Sequence, residues 1–100
     1  MQKSRREIEV DFSRAMNQAE ELEEVAKSLT MMARESLVDT MAILRNSFAG
    51  DNGALFMKKS DAVSAELFDT AEDLIKTAKS IRETANIIYR AEKSAITIFN

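Results

Sequence analysis

The densest group of side chains that could do chemistry is the carboxylate cluster EELEE, residues 20–24. Inward carboxylates on paired helices can bridge metal ions, but such sites also use a histidine three residues after a glutamate. The chain has no histidine and no cysteine. This removes the commonest general base, the commonest transition-metal ligand and the thiolate nucleophile. We interpret the cluster as a solvated helix face, on which Glu23 can pair with Lys27.

The hydroxyl groups offer no better nucleophile, because Ser94 and the other serines and threonines have no base to activate them. The net charge of −3 is small and evenly spread, so no basic face predicts nucleic-acid binding. The cluster Lys3, Arg5 and Arg6 is followed at once by acidic residues. The sequence therefore predicts no catalytic residue, no metal site and no cofactor, and an enzyme is the least expected class.

Two regular apolar stripes must position whatever surface the protein uses. The first takes alternating steps of four and three residues, which is typical of a heptad repeat: Ile8, Phe12, Ala15, Ala19, Leu22, Ala26, Leu29 and Ala33. The second has the same spacing with one polar member: Leu67, Ala71, Leu74, Ala78, Ile81, Ala85, Ile88, Glu92, Ala95 and Phe99. With no proline and two glycines, the composition favours an all-α fold of two long helices.

We predict a single domain in which helix one spans about 4–47, a turn about 48–53 and helix two about 54–98. After Ala33 the first stripe continues in longer steps through Leu37, Met41, Leu44 and Phe48, which predicts that it drifts around the helix. At the bend, Gly50 can adopt the left-handed conformation, Asp51 or Asn52 can cap helix two, and Gly53 can relax the turn.

A chain folded back at the bend brings the stripes together antiparallel, with facing residue numbers that sum to about 100. Five consecutive predicted layers then set one large side chain against one alanine: Ala19 with Ile81, Leu22 with Ala78, Ala26 with Leu74, Leu29 with Ala71, and Ala33 with Leu67. This alternation fills space and lets helices approach closely. The next layers, Ala15 with Ala85 and Phe12 with Ile88, follow a different pattern.

A lone antiparallel hairpin leaves apolar residues beside the stripes without a partner. They are Val25, Met32, Leu37 and Leu44 in helix one, and Phe68, Ile75, Tyr89 and Ile96 in helix two, where Arg82 belongs to the same row. We predict that these residues dock onto a second helical pair to form a four-helix bundle. The alternative is that the hairpin bends to cover them.

Glu92 is the one polar residue at a stripe position, where it faces Ile8 in the predicted register. Arg5, Arg6 and the positive end of the helix dipole are within its reach. Two interpretations stay open. Glu92 belongs to a frayed, solvent-facing helix end, or it forms a recognition pair for another protein with Tyr89, one turn earlier.

The first twenty-odd residues carry charges throughout, so they do not form a cleaved secretory signal peptide. No apolar run approaches the roughly 20 residues of a membrane span. We expect synthesis in the cytoplasm, no membrane insertion, and any export by a route that accepts folded or uncleaved proteins.

The chain length, the two helices and the bend residues Ser47-Phe48-Ala49-Gly50 and Leu55-Phe56 resemble the small WxG-motif proteins of type VII secretion. The likeness is strongest to the helical hairpins that accompany LXG toxins in Gram-positive bacteria, and it spans the whole chain. The resemblance implies that Phe48, Ala49 and Gly50 form the turn motif, with phenylalanine in place of its tryptophan.

The family's export signal is an aromatic residue, three arbitrary residues and an acid. Tyr89 and Glu92 have the right types, but the acid comes one residue early and Lys93 stands in its place. Phe68 and Glu72 have the right spacing within the middle of helix two. The position of the signal therefore stays open between these pairs, and a partner chain could supply part of it.

The resemblance implies a non-enzymatic protein that binds the helical N-terminal domain of an LXG-type toxin, or another small hairpin. It would present a signal to the secretion ATPase, with Tyr89 and Glu92 exposed, and be secreted with its cargo. A homodimeric secreted protein or scaffold would use the same apolar surface. An antitoxin and a needle-type secretion subunit are further alternatives.

Overall fold

The computed structural model describes residues 3–47 and 50–99, with their side chains except at residues 36–37, 44–47, 51–52 and 97–99. Apart from residues 3, 4 and 50, every described residue is helical. The chain forms α1 (Arg5–Met31), a π-helix π1 (Met32–Ser36), α2 (Leu37–Ser47) and α3 (Asp51–Phe99). The predicted all-α class is confirmed, with no strand among the described residues.

Helix α1 begins with a cap formed by Ser4. The Glu7 backbone N–H donates to Ser4 Oγ at 3.1 Å, and the Ile8 N–H donates to the Ser4 carbonyl at 3.1 Å. Ser4 followed three residues later by Glu7 is the sequence pattern of a capping box. These bonds satisfy N–H groups that a helix start leaves without partners, so the polar first residues fix where the helix begins.

The bend differs in detail from its prediction. Gly50 has φ of 78°, the left-handed conformation that glycine adopts without steric cost, as the sequence predicts. Helix α3 begins at Asp51, three residues before the expected start, and the Gly50 carbonyl accepts a bond from the Ala54 N–H at 3.2 Å. Gly53 therefore lies within α3 rather than in the turn. The predicted turn residues Phe48 and Ala49 lie outside the described residues, as do the capping side chains predicted at 51–52.

The π-helix lies where the first apolar stripe changes its spacing. A π turn contains more residues than an α turn, so it absorbs the longer steps that run from Ala33 to Met41. Ala33 is buried and Met41 is half-buried, so the stripe stays on the inner side at both ends of π1. The change of spacing after Ala33 is visible in the sequence. It predicted a gradual drift of the stripe around the helix, whereas the structure has a single π-helical turn at this point. The predicted stripe members Leu37, Leu44 and Phe99 have side chains outside the described part.

The chain divides into two compact units. The terminal unit contains Met1–Glu23 and Ile75–Asn100. Its contacts join low residue numbers in α1 to high numbers in α3, Glu9 to Tyr89 and Glu23 to Arg82, so its helices are antiparallel. Its buried apolar residues are Ile8, Ala19, Ala78 and Ala85.

The central unit contains Glu24–Leu74. Its buried apolar residues are Ala26, Ala33 and Ala71. The guanidinium of Arg34, in π1, lies 5.8 Å from the centroid of the Phe68 ring in α3. The two halves of the chain thus contact each other in this unit also, which is compatible with the predicted helical hairpin.

Burial follows the five predicted large-against-small layers. In each layer the alanine is buried, and its predicted large partner is half-buried. Alanine has the smallest side chain with a Cβ, so its complete burial requires that the facing helix comes close, while a leucine opposite extends past the contact. Among the side chains that the structure describes, six of the seven buried apolar residues are alanines, so close helix approach rather than large buried side chains builds this part of the core.

The predicted stripe is wrong near the end of α3. Ile88 is 50 % exposed, and Tyr89 instead packs against Phe12, with ring centroids 4.4 Å apart. A straight α-helix repeats every 3.6 residues rather than 3.5, so a contact stripe moves gradually off a strict heptad. At Tyr89 the inward side chain is therefore one residue later than predicted, whereas the predicted stripe members Glu92 and Ala95 are half-buried.

No described helix combines the length and apolarity that a bilayer crossing needs.

The layer pairing makes a prediction about stability. Replacing Ala78 by Leu should overfill the buried layer and lower the free energy of unfolding by about 1–3 kcal/mol. Adding Leu22→Ala should restore much of that loss, because the pair regains one large and one small side chain. Urea unfolding followed by circular dichroism measures both. Ala65→Leu, at an exposed position of α3, is the control and should leave the free energy of unfolding almost unchanged. A double variant that is less stable than Ala78→Leu alone would refute the pairing.

Candidate functional site

Tyr89 is held by three side chains. Its hydroxyl donates to Glu9 Oε1 at 2.7 Å, its ring packs on Phe12, and Lys93 Nζ lies 4.8 Å from the ring centroid. Lys93 also pairs with Glu9 at 3.0 Å. The phenol is thus enclosed on its polar tip and on its ring face, and the aromatic–cation contact adds an attraction of the order of 1 kcal/mol or less at such a surface.

Glu92, one turn after Tyr89 in α3, is bound by Lys3. Its carboxylate accepts from Lys3 Nζ at 3.2 Å, and the same ammonium contacts Asp11 at 2.9 Å. The sequence predicted Arg5 and Arg6 as the neighbouring cations, whereas Lys3, just before α1, makes the contact. Its long, flexible stem allows it to reach both carboxylates.

The structure therefore differs from the expectation that Tyr89 and Glu92 are exposed. Both residues are half-buried. The one-residue shift of the stripe turns Tyr89 toward α1, and Glu92, at its predicted stripe position, is bound by Lys3. In the sequence, Lys3 belongs to a basic cluster that acidic residues follow, and the residue pattern predicted no contact from Lys3, Glu9 or Asp11 to the facing helix. The antiparallel register contained the missed signal, since 9 and 93 sum to about 100, as facing residues should.

A bidentate ion pair joins the same two helices further along. The two terminal guanidinium nitrogens of Arg82, Nη1 and Nη2, each donate to one carboxylate oxygen of Glu23. This is the geometry in which guanidinium and carboxylate bind best. Arg82 was predicted in the outward row with Tyr89, and both side chains instead contact α1. The predicted helix pair between Glu23 and Lys27 is thus replaced, for Glu23, by a bond across the helices.

These contacts shift the titration of the groups involved. The hydrogen bond from Tyr89, and then that from Lys93, lower the pKa of Glu9. The bond from Lys3 lowers the pKa of Asp11, and the bonds from Arg82 lower the pKa of Glu23. Hydrogen bonds with Tyr89 and Glu9 raise the pKa of Lys93. Each of these shifts favours the charged form of its group, so the carboxylates of Glu9, Asp11 and Glu23 and the ammonium of Lys93 are held in the charged state by their contacts.

The second predicted signal pair lies in the central unit. Phe68 is 38 % exposed and lies under the Arg34 guanidinium, while Glu72 is exposed one turn later. The two are therefore on the protein surface, although the Phe68 ring already has a cationic neighbour.

The predicted partner surface divides between two flanks of the helix pair. Val25 and Met32 are seven residues apart, so they lie on one side of their helix. Arg34 follows Met32 by two residues and so lies close to the opposite side. Because Phe68 contacts Arg34, Phe68 and Met32 are on opposite flanks. Within the central unit, the predicted interface residues Met32 and Phe68 therefore do not belong to one continuous surface.

Exposed apolar side chains are concentrated in the central unit. Of the thirteen large hydrophobic residues that are exposed among the described side chains, nine lie there: Val25, Met31, Met32, Val38, Ile43, Leu55, Phe56, Val63 and Phe68. Val10, Ile75, Ile87 and Ile88 belong to the terminal unit. Of the remaining predicted interface residues, Ile96 is half-buried, and the Leu37 and Leu44 side chains fall outside the described part. The central unit thus carries the larger apolar surface.

A recess with a volume of about 170 Å³ lies between α1 and α3 and is partly lined by Tyr89. Ile8, Phe12 and Ile88 form its apolar part, and Lys3 and Glu92 form part of its rim. Within residues 3–47 and 50–99, no group of three or more His, Cys, Asp or Glu side chains could hold a metal ion.

The titration shifts predict a loss of stability in acid. A carboxyl with a lowered folded pKa stabilises the fold above its unfolded pKa, and loses that contribution as pH falls through the folded value. The urea midpoint should therefore decrease as pH falls below about 4.5. Glu23→Gln should lower the urea midpoint at pH 7 and make the midpoint depend less steeply on pH. Glu24→Gln, at an exposed position of the EELEE cluster, should leave that pH dependence unchanged. Parallel slopes for wild type and Glu23→Gln would contradict the assigned role of the ion pair.

Comparison of the chain with protein-family models, curated proteins and solved structures finds no match. The resemblance to type VII secretion hairpins therefore stays a prediction from the chain's own length, helices and bend residues.

Proposed function

We propose that this chain is a non-enzymatic helical partner protein that docks onto the helices of a larger protein. On the resemblance drawn from the sequence, that larger protein is an LXG-type toxin, bound through its helical N-terminal domain. The chain promotes the toxin's export by a type VII secretion system. Both proteins are made in the cytoplasm and exported without a cleaved signal peptide.

The observation that carries this proposal is the concentration of exposed apolar side chains in Glu24–Leu74. Soluble monomers rarely expose large continuous apolar surfaces unless these bind something. Fully burying one such side chain contributes about 1.5–3 kcal/mol relative to leaving it exposed. Covering half the exposed part of several of them would therefore stabilise a complex substantially.

The flank with Val25 and Met32 is the better candidate for the docking surface. Each of these residues comes directly before a buried stripe alanine, and Val63 comes directly before the half-buried Ser64 of α3. In antiparallel helices, residues directly before the stripe on each helix share one flank. Val25, Met32 and Val63 therefore lie on the same flank, which differs from that of Phe68 and its Arg34 neighbour.

Docking of a second helical pair on this flank would produce the proposed four-helix bundle. Helices pack on one another by inserting apolar side chains into the grooves of the facing pair. Valine and methionine suit this role, since methionine adapts to irregular gaps. The contribution of the toxin would be two helices with a matching apolar stripe, and the secretion ATPase would then recognise the assembled pair.

A charge placed on this flank should prevent complex formation. Val63→Asp should weaken binding to the toxin's N-terminal domain by at least tenfold, because a carboxylate would be buried without a partner. Co-expression of the chain with the toxin encoded beside its gene, followed by co-purification and size measurement, provides the readout. Val10→Asp is the matched control, since Val10 is 45 % and Val63 46 % exposed, and it should bind normally.

Three outcomes would count against the proposal. Equal losses of binding from Val63→Asp and Val10→Asp would show that the flank with Val25, Met32 and Val63 is not the docking surface. A stable homodimer that ignores the toxin would favour a homodimeric secreted protein or scaffold. Binding that follows the toxin's catalytic end rather than its helical end would favour an antitoxin.

A further inference from the structure

Residues 3–12, just before and within the first two turns of α1, supply the partners that Tyr89 and Glu92 have outside their own helix, α3. Glu9 accepts from the Tyr89 hydroxyl, Phe12 covers its ring, and Lys3 binds the Glu92 carboxylate. One of the two predicted recognition pairs, Tyr89 with Glu92, is thus engaged by one short segment of its own chain.

The bonds that hold this segment are of a kind that opens readily. The side chains of Lys3, Asp11, Glu9 and Lys93 are each 44–46 % exposed, and ion pairs between exposed side chains are weak and screened by salt. Ile8 is the one large apolar residue of the segment that is buried. Helix ends open locally more easily than helix centres. The bidentate pair of Glu23 with Arg82 lies further along α1 and can hold the helices together there.

We infer that residues 3–12 form a displaceable latch, a segment that covers Tyr89 and Glu92 in the free chain and uncovers them when it opens. Opening breaks the Glu9–Tyr89 bond and the Lys3–Glu92 pair and leaves α3 in place. It presents a phenol and a carboxylate one helical turn apart, together with Ala85 and Ile88, the apolar α3 residues of the adjoining recess.

The latch itself stands on the contacts, whereas its role rests on the proposed function. If Tyr89 and Glu92 form the recognition pair of an exported protein, the latch keeps them unavailable until α1 opens at its first turns. This sets an order of events in which opening precedes recognition. Variants that weaken the latch should therefore be recognised more readily than the natural chain.

Tyr89 is the only tyrosine of the chain, so any tyrosine-selective reagent reports on this cluster alone. In the full-length protein, Lys3→Ala combined with Glu9→Ala should raise the rate of Tyr89 acetylation by N-acetylimidazole roughly fivefold, the change expected when one hydrogen bond is lost. The matched control is Glu24→Ala combined with Lys27→Ala, which removes the same charges from exposed positions of the same helix. Its rate should equal that of wild type.

A second measurement requires no substitution. About 1 M sodium chloride reduces the screening length to roughly 3 Å, so it should raise the acetylation rate of the wild-type protein while helicity by circular dichroism stays constant. Unchanged rates in the double variant and in salt would overturn the latch. This result would leave the proposed function untouched, since partner binding through the central unit does not depend on it.

Export provides the functional arm. In a host that secretes the chain with its toxin, the Lys3/Glu9 double variant should be exported at least as well as wild type, and adding Tyr89→Ala should abolish its export. Raised acetylation with export indifferent to Tyr89→Ala would remove the latch's role in recognition and identify the export assignment as the part that fails. Loss of export in the double variant, with acetylation raised, would show that the closed latch is the recognised form and would overturn the inferred order.

Discussion

The close approach of two helices across buried alanines is the constraint on which the rest of the structure depends. Ala19, Ala26 and Ala78 are almost completely buried, which requires a facing backbone near enough to exclude water from a single methyl group. A layer of that thickness has room for one large side chain beside each alanine. Other large hydrophobic residues must then lie on the flanks. The close helix approach that forms the core therefore also produces the exposed apolar surface.

Much of this fold could be predicted because it follows from periodicity. The stripe spacing, the absence of proline and the glycine at the bend predict long helices, a left-handed Gly50 and alternating layers. The inward position of Tyr89 was missed because a strict heptad does not include the drift of a 3.6-residue helix. The longer steps after Ala33 predicted a gradual drift, whereas the structure has one wider π turn there. Side-chain pairs such as Lys3 with Glu92 depend on which of several nearby charges reaches farthest, and the pattern of residue types does not decide that.

The two units contribute differently to the proposed function. The terminal unit joins its helices with polar and aromatic contacts, among them the Glu9–Tyr89 bond and the Glu23–Arg82 pair. These contacts are directional and salt-sensitive, which suits a region that opens or is recognised. The central unit presents apolar side chains such as Met32 and Val63, which suit non-directional docking. We propose that one part binds the cargo while the other carries the signal.

The central claim is that large side chains pack against alanines across the helix pair. The most direct measurement is a nuclear Overhauser experiment on protein labelled at the leucine and alanine methyl groups. The account predicts cross-peaks between the methyls of Leu22 and Ala78 and between those of Leu29 and Ala71. If those cross-peaks are absent while each residue shows contacts to other stripe positions, the helices pack in a different register and the account is wrong.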